Sequence, residues 1–224
     1  MGVILPAMAH ASISTILFDL DGTLIDSVEL ILNSYRHTLR VHRGTIPPDE
    51  VWLEGLGTPL TVQFRKLTDD PAEIDAMVAT YRAYNLANHD DAVREFPGVR
   101  DAVEALSRRR VRLGVVTSKT REGAYRGLRK CGYDGLFEVV VGADDVERPK
   151  PDPEPVRHAL GLLDVAADQA VFVGDSPHDL VAGRAAGVQT AAVLWGPFPR
   201  SALEPQAPDH WIAKPSNLAG LASP

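Results

Sequence analysis

The sequence predicts an α/β protein, a parallel sheet core covered by helices that carries an inserted all-helical subdomain. Three observations lead there. Short runs rich in Val, Ile and Leu recur at residues 13–18, 112–117, 138–142, 170–174 and 190–194. Near-continuous apolar runs of this length mark strands buried on both faces, as in a parallel sheet between helices. Helical patterns fill the gaps between the later runs, whereas residues 26–92 hold several helical periods and no convincing strand.

In chain order, the first strand ends in Phe18-Asp19-Leu20-Asp21-Gly22-Thr23-Leu24. Val28, Ile31, Leu32, Tyr35 and Leu39 then fall at helical spacing, behind Asp26 with Glu29 three residues on, a capping-box pattern. Pro47-Pro48 and Thr58-Pro59 punctuate shorter helices around Glu54-Gly55-Leu56-Gly57. Asp70-Pro71 with Glu73 opens a second long helix, which carries Ile74, Met77, Val78 and Tyr81. The chain returns to strand–helix alternation through Phe96-Pro97-Gly98. The expected organisation is a core of residues 1–25 and 93–224 with a helical cap of residues 26–92. A cap hinged beside the first strand's loop is expected to close over it and exclude water. The tail from Gly196 is expected to hold one edge strand at 210–213 and then a loose end. No internal repeat is found.

Acidic residues outnumber basic ones by 30 to 23, which argues against a polyanion surface and a nucleic-acid partner. Arg108-Arg109-Arg110 with Arg112 is the one basic run, read as the solvated end of a helix. A single cysteine, Cys131, excludes an intrachain disulfide and fits a reducing, cytoplasmic setting. No run approaches the length of a membrane-spanning helix. The apolar piece at 3–8 lacks a basic flank, so a signal peptide is not expected; Met8 is an alternative start, or the segment is a disordered lead-in. Monomer and homodimer both remain open.

Open α/β sheets bind ligands beyond the carboxyl ends of their strands. Asp19 and Asp21 fall there, before a glycine that lets backbone approach a ligand, so metal-assisted phosphoryl chemistry competes with a plain Asp-Gly turn. Three later segments stand at similar places: Val116-Thr117-Ser118-Lys119, the stretch from Arg148 through Lys150 to Pro153, and Gly174-Asp175-Ser176-Pro177-His178-Asp179. Each has a mundane reading. Thr117 or Ser118 would cap a helix through Leu128, Asp152 would cap one starting at Pro153, and Asp175 or Asp179 would cap one ending at Gly187.

Taken together, these elements resemble the haloacid dehalogenase superfamily, specifically its phosphatase branch, over residues 13–194. The resemblance implies a Rossmann-like core, a helical cap and a Mg²⁺-dependent hydrolase acting on a small phosphorylated substrate. Asp19 would be the nucleophile that forms an aspartyl-phosphate, and Asp21 the general acid and base. Asp19, Asp175 and the main-chain carbonyl of Asp21 would hold Mg²⁺, with Asp179 in support. Thr117 and the backbone around Ser118 would hold phosphoryl oxygens, and Lys150 would balance charge. Asp21 argues against dehalogenases, which lack the second aspartate, and the DxD pattern against phosphonatases. Thr23 argues more softly against sugar phosphomutases.

The segments 81–91, 114–119 and 144–155 resemble the pyrophosphatase group of the family, with a departure at Asn88, where that group commonly has a second histidine. Pyrophosphate is therefore ranked first, and phosphoglycolate or another small phosphomonoester second. His89 and Arg65 are candidate substrate contacts, set against a dipole-favoured helix end and an ordinary solvated charge. His178 is read as solvated, because Mg²⁺ prefers oxygen. A phospho-accepting receiver is disfavoured by the insert and the late Asp pair. A silent binding module is disfavoured because no catalytic residue of the pattern is missing.

Overall fold

The structure, a computed structural model, describes residues 12–222; the apolar piece at 3–8, with Met8, lies outside them. The elements run β1 (Thr15–Phe18), β2 (Ile25–Asp26), α1 (Val28–His42), α2 (Glu50–Leu53), α3 (Leu60–Arg65), α4 (Pro71–Ala92), β3 (Arg94–Glu95), α5 (Val99–Arg108), β4 (Arg112–Val116), α6 (Arg121–Lys130), β5 (Val139–Val141), α7 (Glu154–Leu163), β6 (Ala170–Gly174), α8 (Pro177–Ala186), β7 (Gln189–Val193), α9 (Arg200–Leu203) and β8 (His210–Ile212). Six strands form one parallel sheet in the order β5-β4-β1-β6-β7-β8.

Alternation along β1 explains the layers, because successive strand side chains point to opposite faces. Ile16 and Phe18 pack into one core with Val99 and Val103 of α5 and Leu128 of α6. Leu17 faces the other way, into a core with Val156 and Leu160 of α7 and Ala182 of α8. Each such fully buried side chain contributes about 1.5–3 kcal/mol.

The segment between β2 and β3 is helical and has its own core. Tyr35 stacks on Trp52 at 4.7 Å between ring centroids and meets Phe64 and Tyr81, all four rings buried. Its two ends leave and re-enter side by side, since β2 and β3 pair antiparallel, Ile25 opposite Glu95 and Asp26 opposite Arg94. That pairing removes Asp26 from the expected capping box. Ser27 takes the N-cap position of α1 with no side-chain cap bond. Asp70, by contrast, caps α4 as expected, accepting from the Ala72 amide.

Other caps shift by a few residues. Thr120, not Thr117 or Ser118, caps α6, and the earlier pair lies in the loop before it. Pro153 holds the N-cap position of α7, while the Asp152 carboxylate accepts from the Glu154 amide at 2.9 Å. The N-cap of α8 is Ser176, in a capping box with Asp179.

The tail is not loose. After β8, residues Pro215–Gly220 form a 3₁₀ turn, and Leu218, Leu221 and Ala222 are buried in the core beside α5. Arg109 fastens this tail by donating to the carbonyls of Ala219 and Ala222. The basic run is thus more than a solvated helix end, since Arg112 also pairs with Glu138 and reaches the Leu163 carbonyl. Among the described residues, no helix is long and apolar enough to cross a membrane.

Candidate functional site

Three neighbouring strands, β4, β1 and β6, end at one level and deliver Thr117, Asp19 and Asp175 to it. The sheet order reverses between β1 and β6, which opens a crevice at their carboxyl ends. Backbone pairing holds the first residue past each of two strands: the Asp19 amide donates to Val173 at 2.8 Å, and the Thr117 amide to Val141 at 2.9 Å. Both side chains are buried.

Lys150, only 2% exposed, reaches into this crevice from the loop before α7. Its ammonium donates to Asp19 Oδ1 and Asp179 Oδ1, both at 2.7 Å, and to the Val116 carbonyl at 3.2 Å. Burial alone would push Lys150 down, but the charges of Asp179 and Asp19 outweigh it and hold the ammonium above its ordinary pKa. Asp19, Asp175 and Asp179 offer carboxylate oxygens within 4.8 Å of one another. Burial pushes Asp19 up to about 7; Lys150 opposes this and the charge of Asp179 adds to it. Asp175 is likewise raised by burial and by Asp19. Three buried acids face one buried cation. An all-oxygen donor set with surplus negative charge fits a hard divalent cation such as Mg²⁺.

Asp21 lies apart from that trio. Its Oδ1 accepts from Ser27 and from Lys119, so the carboxylate turns toward the hinge of the helical insert. Gly22 follows in the left-handed region, at φ +88°, and a Cβ there would fall 2.6 Å from Asp175 Oδ2. The main chain therefore presses directly on Asp175. Thr23 donates to Asp175 Oδ1 at 2.6 Å, and Trp195 donates to the Thr23 carbonyl at 3.0 Å. Asp179 is locked from its own helix end, with Oδ2 accepting from the Ser176 amide and hydroxyl.

Beside these groups, between core and insert, lies a cavity of about 640 Å³ lined by Asp19, Asp21, Thr117 and Ser118 on the core side. The insert roofs it chiefly with apolar side chains such as Ile31, Tyr35 and Leu60. Ser118 donates to the Gly57 carbonyl, a direct tie across this boundary. Gly57 also sits on α8, where a Cβ would lie 3.3 Å from Ser176 Oγ and 3.6 Å from the His178 ring. His178 is accordingly half-buried against the insert rather than solvated, and burial lowers its pKa.

Neither His89 nor Arg65 lines the cavity. His89 is buried at the end of α4, with Nδ1 2.8 Å from Asp90, and burial lowers its pKa. Arg65 is exposed on α3. Ser27, Trp195 and Arg82 make contacts or line space to which sequence reasoning gave no role, and Thr23, read only as part of the first motif, donates to Asp175. Lys119 was visible beside Thr117 and Ser118, but nothing in the sequence tied it to Asp21.

The model of the haloacid dehalogenase-like hydrolases matches residues 16–193. The chain belongs to that family. Within it, the chain is 40% identical over 210 residues to pyrophosphatase PpaX of Anoxybacillus flavithermus, covering 94% of this chain and 97% of that one. A haloacid dehalogenase-like family hydrolase from Streptococcus pneumoniae superposes with a TM-score of 0.81 at 29% identity, over 93% of this chain and 97% of that one. A Lactobacillus plantarum protein assigned as a phosphoglycolate phosphatase gives 0.84 at 29%, over 94% and 99%. The parallel sheet with surrounding helices is thus the family's fold.

Proposed function

We propose that this family member is a Mg²⁺-dependent phosphohydrolase working through an aspartyl-phosphate on Asp19, with inorganic pyrophosphate as its first substrate. The observation that carries the reading is the Lys150 ammonium, buried between Asp19 and Asp179 with Asp175 beside them. Such a cluster is costly to bury for stability alone, because removing charges from water costs several kcal/mol per ion. Perturbed acids gathered at the mouth of a cleft mark functional sites. The similarity to pyrophosphatase PpaX along nearly the whole chain supports the choice of substrate.

Lys150 occupies Asp19 Oδ1 and fixes the carboxylate, leaving Oδ2 to attack phosphorus. The P–O bond of the anhydride breaks, and Asp21 delivers a proton to the departing phosphate. Water then attacks the phosphorus of the aspartyl-phosphate, Asp21 takes up its proton, and the P–O bond to Asp19 breaks to release the second phosphate. Lys119 and Ser27 orient Asp21 for both transfers. Thr117 and the backbone around Ser118 hold the transferring phosphoryl oxygens. Mg²⁺ would be held by Asp19, Asp175 and the Asp21 carbonyl with Asp179 in support, and when bound it neutralises charge on the phosphoryl oxygens.

Phosphoglycolate or another small phosphomonoester is the second reading, favoured by a cavity roomier than pyrophosphate alone requires. A phosphate-release screen with and without Mg²⁺, over pyrophosphate, phosphoglycolate and sugar phosphates, separates the two. The expected result is Mg²⁺-dependent release, greatest from pyrophosphate and abolished in Asp19→Asn. No release from any of them by folded protein would sink the enzymatic reading.

A further inference from the structure

The insert contributes apolar and neutral polar side chains to the cavity and a single charged one, Arg82 of α4. Of the core's cations near the reacting groups, Lys150 is engaged by Asp19 and Asp179, Lys119 by Asp21 and Arg126 by Asp90, while Arg129 of α6 stands on the core side of the cavity wall, outside the insert. Arg82, exposed on α4, has no ion-pair partner among the described residues. Its helix is held firmly on either side of it. Tyr81 is buried in the insert's aromatic core, and Asn85, also on the cavity wall, donates to Ser34 of α1 at 3.1 Å.

A substrate whose one end is taken by Asp19, Thr117 and Lys150 presents its other end toward the insert. If that end is anionic, a counter-charge is needed beside a largely apolar wall that offers it few polar partners. We propose that Arg82 is the specificity-determining residue of this site, binding the non-transferred anionic end of the substrate. The guanidinium matches phosphate and carboxylate geometry with two parallel donors. It therefore selects doubly anionic substrates, a diphosphate or a carboxylated phosphomonoester, over monoesters whose leaving group is neutral. The proposal rests on the phosphohydrolase reading and adds to it the residue that chooses the substrate.

The test is binding, so that it does not depend on turnover. Dissociation constants for methylenediphosphonate, which has two anionic ends, and methylphosphonate, which has one, are measured by calorimetry with Mg²⁺ for the unaltered protein, Arg82→Ala, Arg82→Lys and Arg40→Ala. The selectivity ratio between the two ligands is expected to fall about tenfold to hundredfold in Arg82→Ala and to recover in part in Arg82→Lys. Arg40 is an exposed cation of the insert that does not line the cavity, and its loss should leave the ratio in place. A ratio unchanged in Arg82→Ala, or reduced equally in Arg40→Ala, overturns the proposal. Selective binding of methylenediphosphonate lost with Arg82, without any phosphate release in the screen above, would refute the hydrolytic reading and leave the assignment of Arg82 standing.

Discussion

Gly22→Ala is the substitution whose cost is most directly set by the geometry. Gly22 sits at φ +88°, where a side chain is strained whatever space surrounds it, a penalty of about 1–2 kcal/mol. Its Cβ would also lie 2.6, 2.8 and 2.9 Å from Oδ2, Cγ and Oδ1 of Asp175. Overpacking of that kind costs about 1–3 kcal/mol. Asp175 is 1% exposed and accepts from Thr23, so it has little room to retreat. The expected loss is about 2–5 kcal/mol. Gly44→Ala is the control, because Gly44 has a similar φ of +70° with nothing within 4 Å of its Cβ. Only the backbone penalty of about 1–2 kcal/mol applies there. Urea unfolding of both variants, with and without Mg²⁺, measures the difference. Gly22→Ala should be the less stable, and should show a smaller Mg²⁺-induced rise in midpoint, since the displaced carboxylate is a proposed ligand. If the two variants unfold within about 0.5 kcal/mol of each other, the close approach of Gly22 to Asp175 is not limiting and the reasoning fails.

The metal-free protein should lose stability as pH rises. Burial holds folded Asp19 at about 7, against 3.8 for the solvated carboxyl of an unfolded chain, so its contribution is complete below about pH 4 and disappears as pH passes through 7. Urea midpoints in EDTA should fall between pH 5 and 8 by a smaller amount in Asp19→Asn, and equal slopes would contradict this. Thr117→Ala, which removes a proposed phosphoryl-oxygen donor, should lower turnover about 10²–10³-fold with an unchanged circular dichroism spectrum. Turnover within a factor of about three of the unaltered enzyme would exclude that role. Cys131 is 6% exposed and burial pushes its thiol up to about 11. Iodoacetamide at pH 8 should therefore label it slowly in the native state and quickly in urea, as followed by mass spectrometry.

The strands of the parallel sheet and the family were legible in the residues alone. Apolar runs buried on both faces and short motifs at strand ends are local signals, readable without knowing what lies opposite. Asp19, Thr117, Lys150, Asp175 and Asp179 could be picked out for the same reason. How these residues are joined depends on packing between segments far apart in the chain. That packing set Lys150 between Asp19 and Asp179, turned Asp21 toward Lys119 and Ser27, and fastened the tail to α5 through Arg109. It also left His89 and Arg65 off the cavity wall while placing Arg82 on it. A charged residue on a helix looks alike in sequence whichever way it faces when tertiary packing sets that helix's rotation. Helical spacing names the apolar face, as it does for Ile74, Met77, Val78 and Tyr81, but what stands opposite the remaining faces is settled only when the insert folds down on the core.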